Sequence, residues 1–292
     1  MSWQKIVLLV LAVVLGAAGA TALASGSSKA PQSFVTFQST NISPETQASV
    51  SEGCGGGTLE PTGGGGGAKS DQFGAFSVSL ATSVPVVGQN AWRVWANNRG
   101  PNSASMIAFV VCTSGYDLRQ RFAEVNLPAH SSKATPARCP AGTSAVGGGV
   151  YISGSTLDLV VSTSKPWDSG DRDSKPNDGW FGRANNGSGT DQVMETWAVC
   201  SKNGRFAYVH DSSKLAPRGE ALAQAQCPGK SQVVGGGTQI SKAGLKTEIT
   251  YTQPYDGPDG DLAIDDGWVS DATNHASRGA HTLTGWAVCA VT

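Results

Sequence analysis

The chain has 292 residues, a formal net charge of −1 and only 15% charged residues. That balance excludes the Lys/Arg clusters with which a polyanion-binding protein neutralises phosphates, so no nucleic-acid partner is expected. Thirty-eight glycines suit a β-rich extracellular protein, and six cysteines without a Cys-x-x-Cys pair read as disulfides rather than zinc thiolates.

In chain order, residues 1–5 are short and basic, residues 6–15 are apolar, and Ala22-Leu23-Ala24 is a small-x-small cleavage site. This pattern predicts a secretory signal peptide over 1–24, cut before Ser25, which leaves no membrane span. The alternative is an uncleaved anchor, since residues 6–24 nearly reach the length needed to cross a bilayer. Residues 25–33 form a small polar leader, read as mobile. Three modules follow, over 34–112, 113–200 and 201–292. The segments 113–138 and 201–226 are of equal length and carry short alternating runs such as Ala123, Val125 and Leu127. Each is read as one or two strands belonging to the module that follows.

The modules are visible because the chain repeats itself. Cys227-Pro, Val-Gly-Gly-Gly, an alternating run, a Pro, an Asp-rich loop, Asp-Gly-Trp and Trp-Ala-Val-Cys289 recapitulate the stretch from Cys139 to Cys200. Sixteen of the 42 aligned positions up to Trp180 and Trp268 are identical, which marks a repeat architecture. Cys54 to Cys112 is a degenerate copy. Two cysteine pairings respect the repeat. One joins Cys54–Cys112, Cys139–Cys200 and Cys227–Cys289 and makes each module self-contained, so it is preferred. The other joins Cys112–Cys139 and Cys200–Cys227 and leaves Cys54 to meet Cys289.

Within each module, Phe76/Val78/Leu80/Thr82, Leu157/Leu159/Val161/Thr163 and Leu245/Thr247/Ile249/Tyr251 alternate as half-buried antiparallel strands do. Lys246, Glu248 and Thr250 then fall on the water side. Trp92, Trp180 and Trp268 each begin another strand over a crowded interior that ends at Asn98, Asn186 or Asn274, read as turn formers. Trp197 and Trp286 read as core. With about four strands per module, the expected fold is all-β and β-prism-like, with three four-stranded sheets closed by threefold repetition. The glycine runs 63–67, 147–149 and 235–237 would allow the sheets to approach near the axis. The alternative is three small β-sandwiches in a row.

The string Cys-Pro-Ala-Gly-x-x-x-Val-Gly-Gly-Gly, followed by Asp-Gly-Trp, Asn and Trp-Ala-Val-Cys, resembles a module of secreted actinobacterial repeat proteins. The resemblance covers modules two and three; module one has Gly55 in place of the Pro and lacks the acidic loop. A looser, architectural similarity is to the vitelline membrane outer layer protein, whose three Gly-rich, disulfide-bearing repeats form a β-prism. It implies an extracellular, sugar-facing or structural role and carries over no catalytic residue.

Chemistry concentrates in the loop between Pro and Trp. Module two holds Asp168, Asp171, Asp173 and Asp178; module three holds Asp256, Asp259, Asp261 and Asp266 at the same spacing, with Asp265 beside them. Carboxylates on a turning, Gly-containing backbone are what Ca²⁺ requires. Turn formation alone would equally favour Asp, above all at Asp178-Gly179 and Asp266-Gly267. Module one has no acid between Pro85 and Trp92. The same loops carry Trp167 and Tyr255, placed to stack on a sugar ring. The four histidines occupy different repeat positions, no Gly-x-Ser-x-Gly elbow occurs, and Gly229-Lys230-Ser231 is a P-loop tail without its first Gly. The expectation is a secreted, non-enzymatic, lectin-like protein that binds a glycan or cell-surface component with calcium in the acidic loops. The alternatives are an extracellular structural or protein-interaction scaffold and, third, a carbohydrate-active hydrolase.

Overall fold

A computed structural model of the protein describes residues 33–70, 77–171, 173–257 and 263–291. The signal-peptide segment, Asp259 and Asp261 lie outside the described residues. Module one contains β1 (Ser33–Ile42), β2 (Thr46–Gly53), β3 (Glu60–Ser70), β4 (Val78–Val86), β5 (Ala91–Asn98) and β6 (Ala104–Thr113). Module two contains β7 (Leu118–Leu127), β8 (Ser131–Arg138), β9 (Ser144–Ile152), β10 (Leu159–Trp167), β11 (Gly179–Asn186) and β12 (Gln192–Ser201). Module three contains β13 (Phe206–Leu215), β14 (Gly219–Gln226), β15 (Gln232–Ile240), β16 (Thr247–Tyr255), β17 (Gly267–Asn274) and β18 (His281–Ala290). Among the described residues no helix is long and apolar enough to cross a membrane.

The 18 strands form three antiparallel six-stranded sheets, and every sheet is shared by two modules. The 3/1 sheet runs β1-β6-β3-β16-β17-β14, the 1/2 sheet β2-β5-β4-β9-β12-β7, and the 2/3 sheet β8-β11-β10-β15-β18-β13. Each module therefore contributes two half-sheets of three strands. The half-sheets join their neighbours through short seams: Ser83 with Val150, Thr163 with Gln239, and Tyr251 with Gly67. The arrangement is threefold, with six strands in each sheet rather than the four expected. The extra pair in each module comes from segments 113–138 and 201–226 and their counterpart in module one, each of which forms two strands.

The Gly runs and the tryptophans explain one another. Trp92, Trp180 and Trp268 are fully buried. A Cβ on Gly64, Gly148 or Gly236 would lie 2.1–2.4 Å from the indole of its own module, so the middle glycine is the bed on which the ring rests. The indole N–H donates to a hydroxyl on the neighbouring strand, at Ser83, Ser164 or Thr252, over 2.6–2.9 Å. The first glycines meet across modules: a Cβ on Gly63 would stand 2.6 Å from Gly235 Cα, one on Gly235 3.1 Å from Gly147 Cα, and one on Gly147 3.0 Å from Gly63 Cα. Three backbones thus touch in a ring where only hydrogen fits. Disulfides Cys54–Cys112, Cys139–Cys200 and Cys227–Cys289, with Cα separations of 5.5, 5.7 and 5.7 Å, close the modules.

Two expectations about burial are corrected. β4, β10 and β16 are buried on both faces over most of their length, because each lies at a seam in the middle of a six-stranded sheet. Lys246 is exposed, but Glu248 and Thr250 are buried. Glu248 is held by Arg99 of module one at 2.9 Å and by His275 at 2.6 Å, a paired carboxylate that the interior can accept. Trp197 and Trp286 are half-buried on the solvent face of their sheets. They lie against Phe122 and His210 at ring separations of 4.8 and 4.7 Å, as Phe109 lies against Phe37 at 5.5 Å.

Candidate functional site

The acidic loop of module two joins β10 to β11. One carboxylate oxygen from each of Asp168, Asp171 and Asp178 lies within 4.8 Å of the others, a separation that oxygen ligands 2.3–2.6 Å from one Ca²⁺ can span. The loop backbone holds them there. Asp178 accepts a hydrogen bond from Ser169 N–H at 2.7 Å, Asp168 from Gly170 N–H at 2.7 Å, and Asp171 from Asp173 N–H at 2.9 Å. Asp173 stands outside this trio and accepts from Lys175 N–H. In module three, Asp266 accepts from Gly257 N–H at 2.5 Å, reproducing the role of Asp178. Asp256 is exposed. Asp178 and Asp266 thus also brace their turns, the role that their Asp-Gly context suggested.

Beside this loop, on the solvent face of the 2/3 sheet, is a cleft of about 390 Å³, within the usual range for a small-molecule site. β10 supplies Thr163, Lys165 and Trp167, with Asp168 following. β11 adds Phe181 and Arg183, while Gln239, Ile240 and Lys242 come from module three. Trp167 is half-buried beneath the Arg138 guanidinium, 5.0 Å from its ring centroid, a cation–π contact that fixes the ring's attitude. Lys165 reaches to 5.3 Å from the Trp286 ring. Its ammonium is held below the usual lysine range by burial, with the charge of Asp168 acting in the opposite sense. Arg183 donates to the Ala243 carbonyl at 3.0 Å. Tyr255 occupies the position of Trp167 at the end of β16. Burial raises its hydroxyl pKa, as do the charges of Asp266 and Asp211.

No protein-family model matches this chain, and no curated protein matches its sequence. What distinguishes the cleft is visible by comparing the three sheets of the protein itself. At the places of Thr163, Lys165 and Arg183, the 3/1 sheet carries Tyr251, Gln253 and Asp271, and the 1/2 sheet carries Thr82, Val84 and Trp95. Tyr251 and Gln253 are buried in the 3/1 sheet, whereas small Thr163 leaves room in the 2/3 sheet. Sequence reasoning found Trp167 and the acids but missed Lys165, Phe181, Arg183 and Gln239. The available signal was their divergence at positions where the fold tolerates other residues.

Asp271 shows what the same position does when it is acidic. It is buried, and its carboxyl is pushed up to about 8, first by burial and then by the neighbouring Glu220, against a hydrogen bond from Thr250. Because the unfolded value is ~3.9, the folded chain holds an extra proton between about 4 and about 8, and stability falls as pH rises through that window. Asp271→Asn is expected to flatten the decline, raising the melting temperature at pH 8 relative to wild type by about 4 °C or more while giving a clearly smaller gain at pH 5. Equal shifts at both pH values in thermal melts would show that Asp271 does not titrate in this window.

Proposed function

We propose that this protein is an extracellular, non-enzymatic binding protein that takes a saccharide in the cleft of the 2/3 sheet, with Ca²⁺ in the adjoining acidic loop. The observation that carries the reading is the convergence in one cleft of an aromatic ring, Trp167, with the hydrogen-bonding side chains of Lys165, Arg183 and Gln239. A ring of this kind stacks on the apolar face of a pyranose while the polar groups fix its hydroxyls. The carboxylates of Asp168, Asp171 and Asp178 add a calcium-sized oxygen cluster at the rim. Three sheets shared cyclically by three modules support a β-prism arrangement, and the disulfides suit an oxidising, extracellular location.

A glycan array read with and without chelator tests this. Binding is expected to be chelator-sensitive, and Trp167→Ala should weaken it roughly tenfold or more, about 1.4 kcal/mol. Tyr255→Ala reports separately whether module three holds a second, weaker place. Calorimetry with Ca²⁺ should show binding in the ~10⁻⁴–10⁻³ M range of extracellular modules, lost in Asp171→Ala. A blank array together with no calcium heat would overturn the reading and leave the scaffold alternative, which the exposed Phe122 stacked on half-buried Trp197 favours.

A further inference from the structure

The cleft of the 2/3 sheet has a charge that its fold does not require. Among the described residues of its lining, Lys165, Arg183 and Lys242 are the cations and Asp168 is the only acid. The 3/1 sheet has Gln253 and Asp271 in place of Lys165 and Arg183, and the 1/2 sheet has Val84 and Trp95, so neither cation serves the strand pairing common to all three. Lys165 is the more telling of the two. Among the described residues, no carboxylate lies within 4.0 Å of its ammonium, although the group is partly buried beside Arg183. Asp168 acts on it only from beyond salt-bridge distance and belongs to the acidic trio. A partly desolvated cation with no carboxylate in contact is costly, and an anion entering the cleft would relieve that cost. Arg183 spends one nitrogen on the Ala243 carbonyl, which orients the rest of a planar fork suited to an oxyanion.

We infer that the saccharide taken by this cleft is an acidic one, whose carboxylate or sulfate group is held between Lys165 and Arg183 while its ring lies against Trp167. The inference rests on the saccharide reading above and narrows its ligand class. It also gives the two ends of the cleft different tasks, with charge recognition over β10 and β11 and ring stacking at the mouth.

The test titrates the full-length mature protein with a panel of uronic-acid oligosaccharides, their carboxyl-reduced neutral counterparts and sulfated versions of the neutral series. The acidic forms are expected to bind at least about tenfold more tightly than the neutral ones, with affinity falling as salt is raised from 50 to 300 mM. Comparing the uronic-acid and sulfated arms identifies which anion is read. Lys165→Gln, which installs the residue that module three carries at the same position, should remove most of the preference, weakening the acidic forms at least about tenfold more than the neutral ones without lowering the melting temperature. Arg183→Gln should act in the same direction. Neutral forms binding as well as acidic ones, or a preference that survives both substitutions, would overturn the inference and leave the saccharide reading intact. Failure of every arm would overturn both.

Discussion

Gly147→Ala is expected to destabilise the protein severely. Its methyl group would lie 2.1 Å from the Thr62 carbonyl oxygen and 3.0 Å from Gly63 Cα. Both obstacles are backbone of another module, so no side-chain rotation relieves them. Ordinary overpacking costs about 1–3 kcal/mol when side chains can shift. Here three backbones must separate, and the Gly63–Gly235 and Gly235–Gly147 contacts must open with them. A cost above ~3 kcal/mol, against a total stability of about 5–15 kcal/mol, should appear as loss of soluble protein or a collapsed denaturant midpoint. Gly189→Ala is the matched control: a Cβ there meets nothing within 4 Å, and its midpoint should stay within about 0.5 kcal/mol of wild type. Similar behaviour of the two variants in urea titrations would show that the glycine ring is not a close approach.

The second large effect concerns the disulfides. Cys139–Cys200 closes a loop with a sequence separation of 61, and on the loop-entropy relation its removal frees the unfolded chain by about 4 kcal/mol. The Cys139→Ser/Cys200→Ser double variant is therefore expected to lose that much stability. Because module two shares a sheet with each neighbour, the loss should move one cooperative transition for the whole chain. A separate early transition with the remaining two-thirds unaffected would mean that the shared sheets do not couple the modules.

The repeat was legible wherever one residue type answers one steric demand. Trp92, Trp180 and Trp268, the glycines beneath them and the three cysteine pairs could be read because a large ring and a missing Cβ must occur together in every copy. Strand count and burial were less legible. The alternation around Glu248 resembles that of a strand with one wet face, yet the strand lies at a seam where a second module supplies the neighbouring strand and Arg99 supplies the counter-charge. Local periodicity cannot register a partner that lies 149 residues away in the chain. The same limit hid most of the cleft. Trp167 and Asp168 stand in a conspicuous motif, but Arg183 lies on the next strand, and Gln239 and Lys242 belong to the following module. No window of sequence contains them together. The strand faces of Trp197 and Trp286 read as core, whereas the period of two puts both rings opposite the buried Met194, Thr196, Ala198 and Leu283.

The most direct measurement is an NMR titration of isotope-labelled protein with an acidic oligosaccharide, following tryptophan indole and backbone amide resonances. The Trp167 indole and the amides around Lys165, Arg183 and Gln239 are expected to shift together, with one saturation curve, while the buried indoles of Trp92, Trp180 and Trp268 stay in place. Shifts confined to the 3/1 or 1/2 sheet, or a spectrum unchanged at saturating sugar, would contradict a saccharide site in the cleft between modules two and three.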